Sequence, residues 1–253
     1  MGSGYRVTVL TLFPELVTEY FRTSIVGRLV ERGDVVPEVV DIRDFTTDRH
    51  RSCDDAPYGG GAGMVLMAQP LAAALESVDA RARHVVFPTP AGLPFVQGDA
   101  QRLAGLDGMV LICGRYEGID QRVVDEYVDE EVSLGDYVLS SGELAAMVVM
   151  DAVYRLRDGA IRRESVVEDS FQDGLLEYPH YTRPETILGR RVPEVLLSGH
   201  HERILAWRRR KQLERTACRR PDLLQRVALS EDERVFTEEI LKGEKDNGRN
   251  QGS

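Results

Sequence analysis

Lysine is nearly absent from this sequence of 253 residues. Its only lysines are Lys211, Lys242 and Lys245, so residues 1–210 contain none. Schiff-base catalysis and lysine-dependent phosphate sites are therefore excluded from most of the chain, because both need an ammonium group. Long apolar runs are also missing, since none approaches the roughly 18 residues needed to cross a bilayer. We therefore expect no membrane span.

Cysteine is sparse as well, with Cys53, Cys113 and Cys218 far apart. An odd number without zinc-ligand spacing indicates neither a disulfide framework nor a zinc site, and it favours a reducing, cytoplasmic location. The adjacent residues His200 and His201 would point about 100° apart on a helix, which disfavours joint metal ligation. We predict no metal site from these residues.

The net charge of −10 argues against a protein whose whole surface binds nucleic acid. The charge is uneven, however, because the stretch from His200 to Arg220 has two acidic residues, Glu202 and Glu214, against eight basic ones. The basic residues are Arg203, Arg208, Arg209, Arg210, Lys211, Arg215, Arg219 and Arg220. This cluster favours a helix that binds a phosphate backbone or a helix face exposed to solvent, and composition does not choose between them.

Short apolar runs alternate with helical patterns as far as Leu156. This alternation, with runs rich in valine and leucine, predicts an α/β domain around a parallel sheet. The predicted strands are Tyr5–Leu10, Pro37–Ile42, His84–Pro88 and Met109–Cys113. The predicted helices are Pro14–Glu31, Gln69–Val78, Gln97–Leu106, Ile119–Tyr127 and Glu143–Leu156.

The pattern changes after Leu156. Residues 157–168 are polar and have no clear period, which predicts a mobile linker, and strand signals vanish beyond Asp169. The helix signals that follow are Ser198 as an N-cap for a helix to about Arg219, Pro221 as a helix start, and Ser230 with Glu233 as a capping box. The predicted domains are 1–160 (α/β), 161–176 (linker or lid), 177–243 (small all-α domain) and 244–253 (disordered tail).

The stretch PYGGGAGM, residues 57–64, is rich in glycine but matches no common phosphate loop. A P-loop needs a lysine where Met64 follows Gly63, and a dinucleotide fingerprint needs a third glycine at a spacing that is missing here. Its role must therefore be found from the other motifs.

Two more motifs place polar residues between apolar segments. CGRYEGID, residues 113–120, follows an apolar strand, and ligands of open α/β sheets bind outside the carboxyl ends of strands. An ordinary turn with Glu117 at a helix start is the alternative. GDYVLSSGE, residues 135–143, contains two glycines that disfavour a regular strand. It suits a loop that displays its main chain to a ligand.

EDSFQDGLLEYPHYTRP, residues 168–184, combines carboxylates with aromatic residues directly after the linker. It favours a lid that orders over a substrate. The alternative is a linker that docks through Phe171 and Leu175 while its acids stay in solvent.

These four motifs, in this order and spacing, resemble those of the bacterial tRNA (guanine-N1)-methyltransferases, which belong to the SPOUT class. The similarity runs from about Tyr5 to Arg234. The resemblance implies a trefoil knot in the parallel-sheet domain, which sequence patterns alone would not suggest because threaded chains are rare. It also implies tRNA as the partner and a homodimer with the active site at the subunit interface.

The resemblance further implies that S-adenosylmethionine binds to three loops. The residues at the matching positions are Thr89, Pro90, Gly92, Gly114, Tyr116, Glu117, Leu134, Gly135, Asp136, Tyr137, Val138, Leu139 and Gly142. Members of this family depend on Mg²⁺, but no stretch here has an unambiguous ligand set.

The acceptor implied by the resemblance is N1 of the guanine immediately 3′ of the anticodon. That nitrogen carries a proton, so Asp169 matches a general base and Arg155 matches a residue that stabilises charge on guanine O6. Residues at substrate-binding positions are Asp54, Tyr58, Gly59, Gly63, Glu177, His180, Arg183, Arg208, Arg209 and Arg210.

Three positions depart from the family pattern: Ala62 is often proline, Ser141 usually glycine, and Glu177 usually aspartate. None of them is Asp169 or Arg155, so we expect activity to survive. Two alternatives stay open, namely a SPOUT enzyme that methylates another RNA or a ribose 2′-OH, and a non-catalytic RNA-binding module.

Overall fold

The computed structural model describes residues 4–157, 160, 170–171 and 173–249. The chain divides into two compact units, Met1–Arg162 and Arg163–Ser253. No helix in these described ranges is long and apolar enough to cross a membrane.

The first unit contains a five-stranded sheet in which every pair of neighbouring strands is parallel. The seven described strands of the first unit are β1 (Tyr5–Thr11), β2 (Val35–Asp41), β3 (Asp54–Asp55), β4 (Val65–Leu66), β5 (Val85–Pro94), β6 (Gly108–Ile112) and β7 (Glu130–Ser133). The sheet order is β2-β1-β6-β5-β7, whereas β3 and β4 form a separate antiparallel pair. The predicted parallel α/β architecture is confirmed.

Six helices accompany this sheet among the described residues of the first unit. They are α1 (Pro14–Arg22), α2 (Ser24–Glu31), α3 (Ala68–Ser77), α4 (Gln97–Ala104), α5 (Gln121–Tyr127) and α6 (Gly142–Arg155). Both faces of the sheet are buried. In β1, Val7 and Val9 belong to one apolar cluster with Val149 of α6, and Leu10 belongs to a second cluster with Leu71 of α3. Burial on both faces is the reason that the strands have continuous apolar runs.

The helix predicted at Pro14–Glu31 is wrong in one respect, because the structure divides it at Thr23. Thr23 is extended (φ −108°, ψ 151°) and its hydroxyl donates to the Tyr20 carbonyl at 3.0 Å. A threonine hydroxyl that binds the preceding turn competes with helix propagation. The next residue, Ser24, has φ +55° and begins α2.

Two irregular features shape the carboxyl edge of the sheet. The pairing of β5 with β7 shifts register between Pro88 and Leu93, so the intervening residues leave the ladder. The β3–β4 pair brackets the glycine-rich residues 57–64 and joins the polypeptide beyond β6 through a bridge between Leu66 and Ile119. The glycine-rich residues 57–64 and the motif that follows β6 therefore lie at this one edge.

The second unit contains four helices and one hairpin among its described residues. They are β8 (Thr186–Ile187), β9 (Arg190–Arg191), α7 (Glu194–Leu197), α8 (His201–Arg219), α9 (Pro221–Leu224) and α10 (Glu231–Arg249). The predicted C-terminal helices are confirmed, and the structure adds a short hairpin that the all-α prediction lacked. Leu188 and Gly189 have φ of +52° and +71°, the left-handed pair that closes a two-residue hairpin, and no Asn-Gly signal marks the turn.

Of two other helix starts predicted in this unit, one is wrong and one is confirmed. Ser198 is not an N-cap: its hydroxyl donates to the Val195 carbonyl and closes α7. The capping box is confirmed, since the Ser230 N–H donates to Glu233 at 2.9 Å and the Glu233 N–H donates to Ser230 at 3.3 Å. A disordered tail was predicted for residues 244–253, but α10 continues to Arg249. Residues 250–253 lie outside the described ranges.

Candidate active site

A cleft opens beyond the carboxyl ends of β5, β6 and β7, where ligands of open α/β sheets bind. It holds about 870 Å³ of empty space, part of which is open to solvent. Three segments line it, at 87–90, 114–118 and 132–142. The predicted cofactor residues that line it are Thr89, Pro90, Gly114, Tyr116, Glu117, Leu134, Gly135, Tyr137, Val138, Leu139 and Gly142.

Two of the predicted cofactor residues do not line the cleft. Gly92 lies against β7, where an added Cβ would be 2.4 Å from the Val132 nitrogen. Its absent side chain lets the irregular part of β5 return to its partner strand. Asp136 is exposed to solvent.

Glycine contacts hold the three cleft segments together. The Gly142 N–H donates to the Gly114 carbonyl at 2.8 Å, and a Cβ on Gly142 would be 2.5 Å from the Gly114 nitrogen. A Cβ on Gly114 would in turn be 2.8 Å from the Phe87 ring. Since these atoms are backbone and a packed ring, side chains at either glycine would push the segments apart.

A buried carboxylate, Glu143, directly follows the cleft residue Gly142 in the first turn of α6. The Thr11 hydroxyl donates to it at 2.6 Å, which ties the end of β1 to the start of α6. Burial raises the pKa of the neighbouring Cys113 thiol well above its ordinary value, and the charge of Glu143 raises it further. Cys113 is therefore a neutral packing residue and not a nucleophile.

The loop between β3 and β4 is open and strongly exposed. Gly59, Gly60 and Gly61 all have positive φ, and Cβ atoms added there would meet nothing within 4 Å. Glycine is thus needed at these positions for the backbone conformation and not to relieve a contact. Tyr58 at the same loop is 99% exposed. The loop presents main chain and one aromatic ring to solvent.

This glycine loop shares a wall with the cleft. The Glu117 N–H donates to the Met64 carbonyl at 3.0 Å, and the Tyr116 hydroxyl donates to Asp54 at 3.2 Å. Gly63 has φ +85°, and a Cβ there would be 2.3 Å from a Glu117 carboxylate oxygen. The loop predicted to bind the base and the loop predicted to bind the cofactor are therefore directly joined.

Only one of the two predicted catalytic residues belongs to the described part of the chain. Arg155 is exposed at the C-terminal end of α6, about 20 Å along the helix from Gly142 at the cleft. Asp169 lies outside the described residues. Their roles stay predictions.

The second unit separates the three arginines that were predicted to bind phosphate. The Arg209 guanidinium pairs with Asp173 at 3.0 Å and with Glu233 at 2.6 Å. Arg208 is half-buried over the Tyr178 ring, with 4.6 Å between guanidinium carbon and ring centroid. Arg210 is exposed, although its guanidinium carbon lies 4.2 Å from the Phe236 centroid.

The remaining predicted substrate residues lie along the segment that precedes β8. His180 and Arg183 are exposed, and Glu177 is half-buried with its carboxylate 3.5 Å from the His180 ring nitrogen. These side chains have the exposure that contact with a ligand requires, but their roles stay predictions.

Comparison with known proteins identifies the family. The family model described as tRNA (Guanine-1)-methyltransferase TrmD matches residues 5–226. A tRNA (guanine-N(1)-)-methyltransferase of Treponema denticola is 56% identical over 222 residues, which cover 88% of this chain and 91% of the relative. Its namesake in Treponema pallidum is 53% identical over 236 residues, 93% of this chain and 94% of the relative. A third, from Borrelia hermsii, is 56% identical over 220 residues, 86% of this chain and 92% of the relative.

The chain belongs to the tRNA (guanine-N1)-methyltransferase family. Membership confirms the resemblance found in the four motifs. An enzyme of this family acts on tRNA, and methyl transfer implies S-adenosylmethionine as the donor.

The cleft of this methyltransferase is also lined by residues that the sequence analysis did not predict. Phe87, Pro88 and Ser133 line it. Phe87 and Pro88 end an apolar run and are typical of core positions, so only the register shift in β5 reveals that they face a cleft. Arg115 also lines it, and its guanidinium carbon lies 4.5 Å from the Phe13 centroid.

The Mg²⁺ dependence implied by the resemblance has no matching site here. Within the described ranges, no group of three or more His, Cys, Asp or Glu side chains could hold a metal ion. The residues described therefore do not fit a resident metal, and no catalytic step below is assigned to one.

Proposed function

We propose that this enzyme transfers the methyl group of S-adenosylmethionine to N1 of the guanine immediately 3′ of the anticodon. The observation that supports this most is the direct contact between the cleft and the glycine loop, made by Tyr116 with Asp54 and by Glu117 with Met64. A methyl donor in the cleft and a base on the loop would then share one wall. Short distances between reactants are what a transfer reaction needs.

The lining of the cleft suits S-adenosylmethionine. Main-chain groups of Gly114, Gly135 and Gly142 provide polar atoms, while Leu134 and Val138 provide apolar surface for an adenine ring. When bound, the donor supplies an electrophilic sulfonium methyl group. We include the trefoil knot of the SPOUT class in the proposal, and the close packing of Gly142 on Gly114 supports it.

Base recognition falls to the glycine loop in this proposal. The positive φ at Gly59 and its neighbours turns main-chain groups outward, and the fully exposed Tyr58 offers a ring for stacking. Proteins bind single-stranded RNA bases by such stacking and edge contacts. Asp54 and Gly63 fix the loop against the cleft.

Deprotonation of the guanine is the chemical problem that the enzyme must solve. N1 carries a proton and becomes nucleophilic only when a base removes it. We assign this step to Asp169, and we assign stabilisation of the negative charge on O6 to Arg155. Glu177, His180 and Arg183 are proposed to contact the same RNA.

The position of Arg155 supports a homodimer with shared active sites. Leu144, Val148, Asp151 and Arg155 are all exposed and follow one another along a single face of α6. This stripe runs from the cleft to Arg155. If two copies of α6 pack antiparallel about a two-fold axis, Arg155 of one chain lies beside the cleft of the other.

The experiment that tests this function compares tRNA transcripts and one enzyme variant. We expect methylation of an unmodified transcript to vanish when adenosine replaces the guanosine 3′ of the anticodon. We also expect Asp169→Asn to lower the rate about 100-fold or more, because no base remains for N1.

Titration calorimetry with S-adenosylmethionine is the control, and Asp169→Asn should bind it normally. Full activity of Asp169→Asn would indicate a ribose 2′-OH or another target that needs no guanine base. Failure of the unaltered protein to bind the donor would indicate an RNA-binding module without catalysis.

A further inference from the structure

Arg209 connects three segments of the second unit that are far apart in sequence. Its Nη1 donates to the Asp173 carboxylate at 3.0 Å, across 36 positions, and its Nε donates to Glu233 at 2.6 Å, across 24 positions. Arg209 itself lies in the middle of α8. One guanidinium therefore joins the segment around Asp173, the long helix and the beginning of α10.

The segment around Asp173 is packed firmly against α8. Leu175 is fully buried, and the Leu176 N–H donates to the buried Thr216 hydroxyl at 3.0 Å. The Arg215 guanidinium donates to the Glu177 carbonyl at 3.4 Å. The described part of the motif is therefore docked through Leu175, as the alternative interpretation of residues 168–184 expected, whereas Phe171 is exposed and Asp173 is paired with Arg209. Only Ser170, Phe171 and Gln172 separate this anchor from Asp169 in the sequence.

The Glu233 end of the connection is equally specific. One carboxylate oxygen accepts from Arg209 and the other accepts from the Ser230 N–H at 2.9 Å, in the capping box that begins α10. The hydrogen bond from Arg209 lowers the pKa of Glu233 below its ordinary value. Glu233 thus remains a carboxylate that holds Arg209 in a fixed orientation.

These two carboxylates occupy the guanidinium that a phosphate would need. A phosphate that approached the remaining N–H groups of Arg209 would meet the like charge of Asp173 and Glu233 beside it. The adjacent Arg210 differs, because its guanidinium is exposed and stacks on Phe236 without a carboxylate among its described contacts.

We infer that Arg209 is a positioning residue for methyl transfer and not a tRNA phosphate ligand. By binding both Asp173 and Glu233, it fixes the position of Asp173, four residues after Asp169 in the sequence. This inference rests on the proposed role of Asp169 as general base. A base displaced by about 1 Å can cost a factor of 100 in rate. Arg210 is its matched counterpart, a neighbouring arginine that is placed to contact RNA.

The test compares Arg209→Gln, Asp173→Asn and Arg210→Gln. Single-turnover methylation with saturating tRNA and donor gives the rate of transfer, and binding at several salt concentrations gives tRNA affinity. We expect Arg209→Gln and Asp173→Asn to lower the transfer rate about 10- to 100-fold, with tRNA affinity and its salt slope unchanged. We expect Arg210→Gln to weaken tRNA binding and to reduce its salt slope by about one unit.

Arg209→Lys separates positioning from charge alone. It keeps the positive charge but cannot make both directed bonds, so we expect incomplete recovery of the rate. If Arg209→Gln fails to fold, as circular dichroism would show, Asp173→Asn breaks the same pair from the other side with no change in shape.

The inference is overturned if Arg209→Gln and Asp173→Asn keep the full transfer rate, or if Arg209→Gln weakens tRNA binding and its salt slope as Arg210→Gln does. The proposed function fails separately. In that case Asp169→Asn itself retains the full rate, whatever the Arg209 variants do.

Discussion

Gly142 contributes no side chain to the cleft, yet it brings two of the cleft segments into contact. Its N–H binds the Gly114 carbonyl, and the space beside its Cα is filled by the backbone of Cys113 and Gly114. The motif around Gly142 could predict that glycine is needed here, but not the reason. The partner of Gly142 is 28 positions earlier in the chain, and sequence spacing does not reveal such a contact.

We predict that Gly142→Ala weakens S-adenosylmethionine binding about 10-fold or more, because a methyl group would be 2.5 Å from the Gly114 nitrogen and must displace that loop. Titration calorimetry measures this. Gly98→Ala is the control: Gly98 is in helix α4 with open space at its Cβ position, so alanine should leave binding unchanged and slightly raise stability. Equal donor affinity in Gly142→Ala and the unaltered protein would contradict the account.

At the scale of elements, sequence patterns locate most of the first unit. The strands at the centre of the sheet and helices such as α3 and α6 follow from apolar periodicity, since each buries a continuous face. The break at Thr23 and the hairpin at Leu188 and Gly189 could not be predicted. Both depend on local backbone geometry, namely a hydroxyl bonded to the preceding turn and two residues with positive φ.

The start of α10 depends on Glu233, whose pKa is lowered chiefly by the hydrogen bond from Arg209. A carboxylate whose pKa is lowered in the folded protein contributes its full stabilisation at pH values above its ordinary pKa, about 4.3 for glutamate. The folded state loses this stabilisation as the pH falls through the lowered pKa. We predict that Glu233→Gln lowers the free energy of unfolding between pH 7 and 5. The difference from the unaltered protein should shrink as the pH falls below about 4.

Denaturant unfolding at each pH checks this, with Glu239→Gln as the control because Glu239 is exposed on the same helix. If the free energy of unfolding lost in Glu233→Gln stays constant down to acid pH, the charge of Glu233 does not contribute to stability.

At the scale of the whole molecule, the distance of about 20 Å along α6 between Gly142 and Arg155 supports the proposed homodimer. The exposed stripe on α6 supports such an assembly. Motifs identified the residues, but no pattern in one sequence shows which chain supplies each of them, because helices from two copies can satisfy the same spacing.

We predict that two inactive variants restore activity when mixed. Gly114→Trp blocks the cleft, since even a Cβ there would be 2.8 Å from the Phe87 ring, and Asp169→Asn removes the proposed base. A heterodimer has one intact site, so a fully exchanged equal mixture should recover about a quarter of the normal activity. Absence of any recovery after demonstrated subunit exchange would place each active site within a single chain.

The position of the transferred methyl group tests the central claim most directly. An unmodified tRNA transcript is treated with enzyme and S-adenosylmethionine, digested, and analysed by mass spectrometry of its fragments and nucleosides. The account predicts a single 1-methylguanosine immediately 3′ of the anticodon. A methyl group on a ribose, or on any other base, would contradict it.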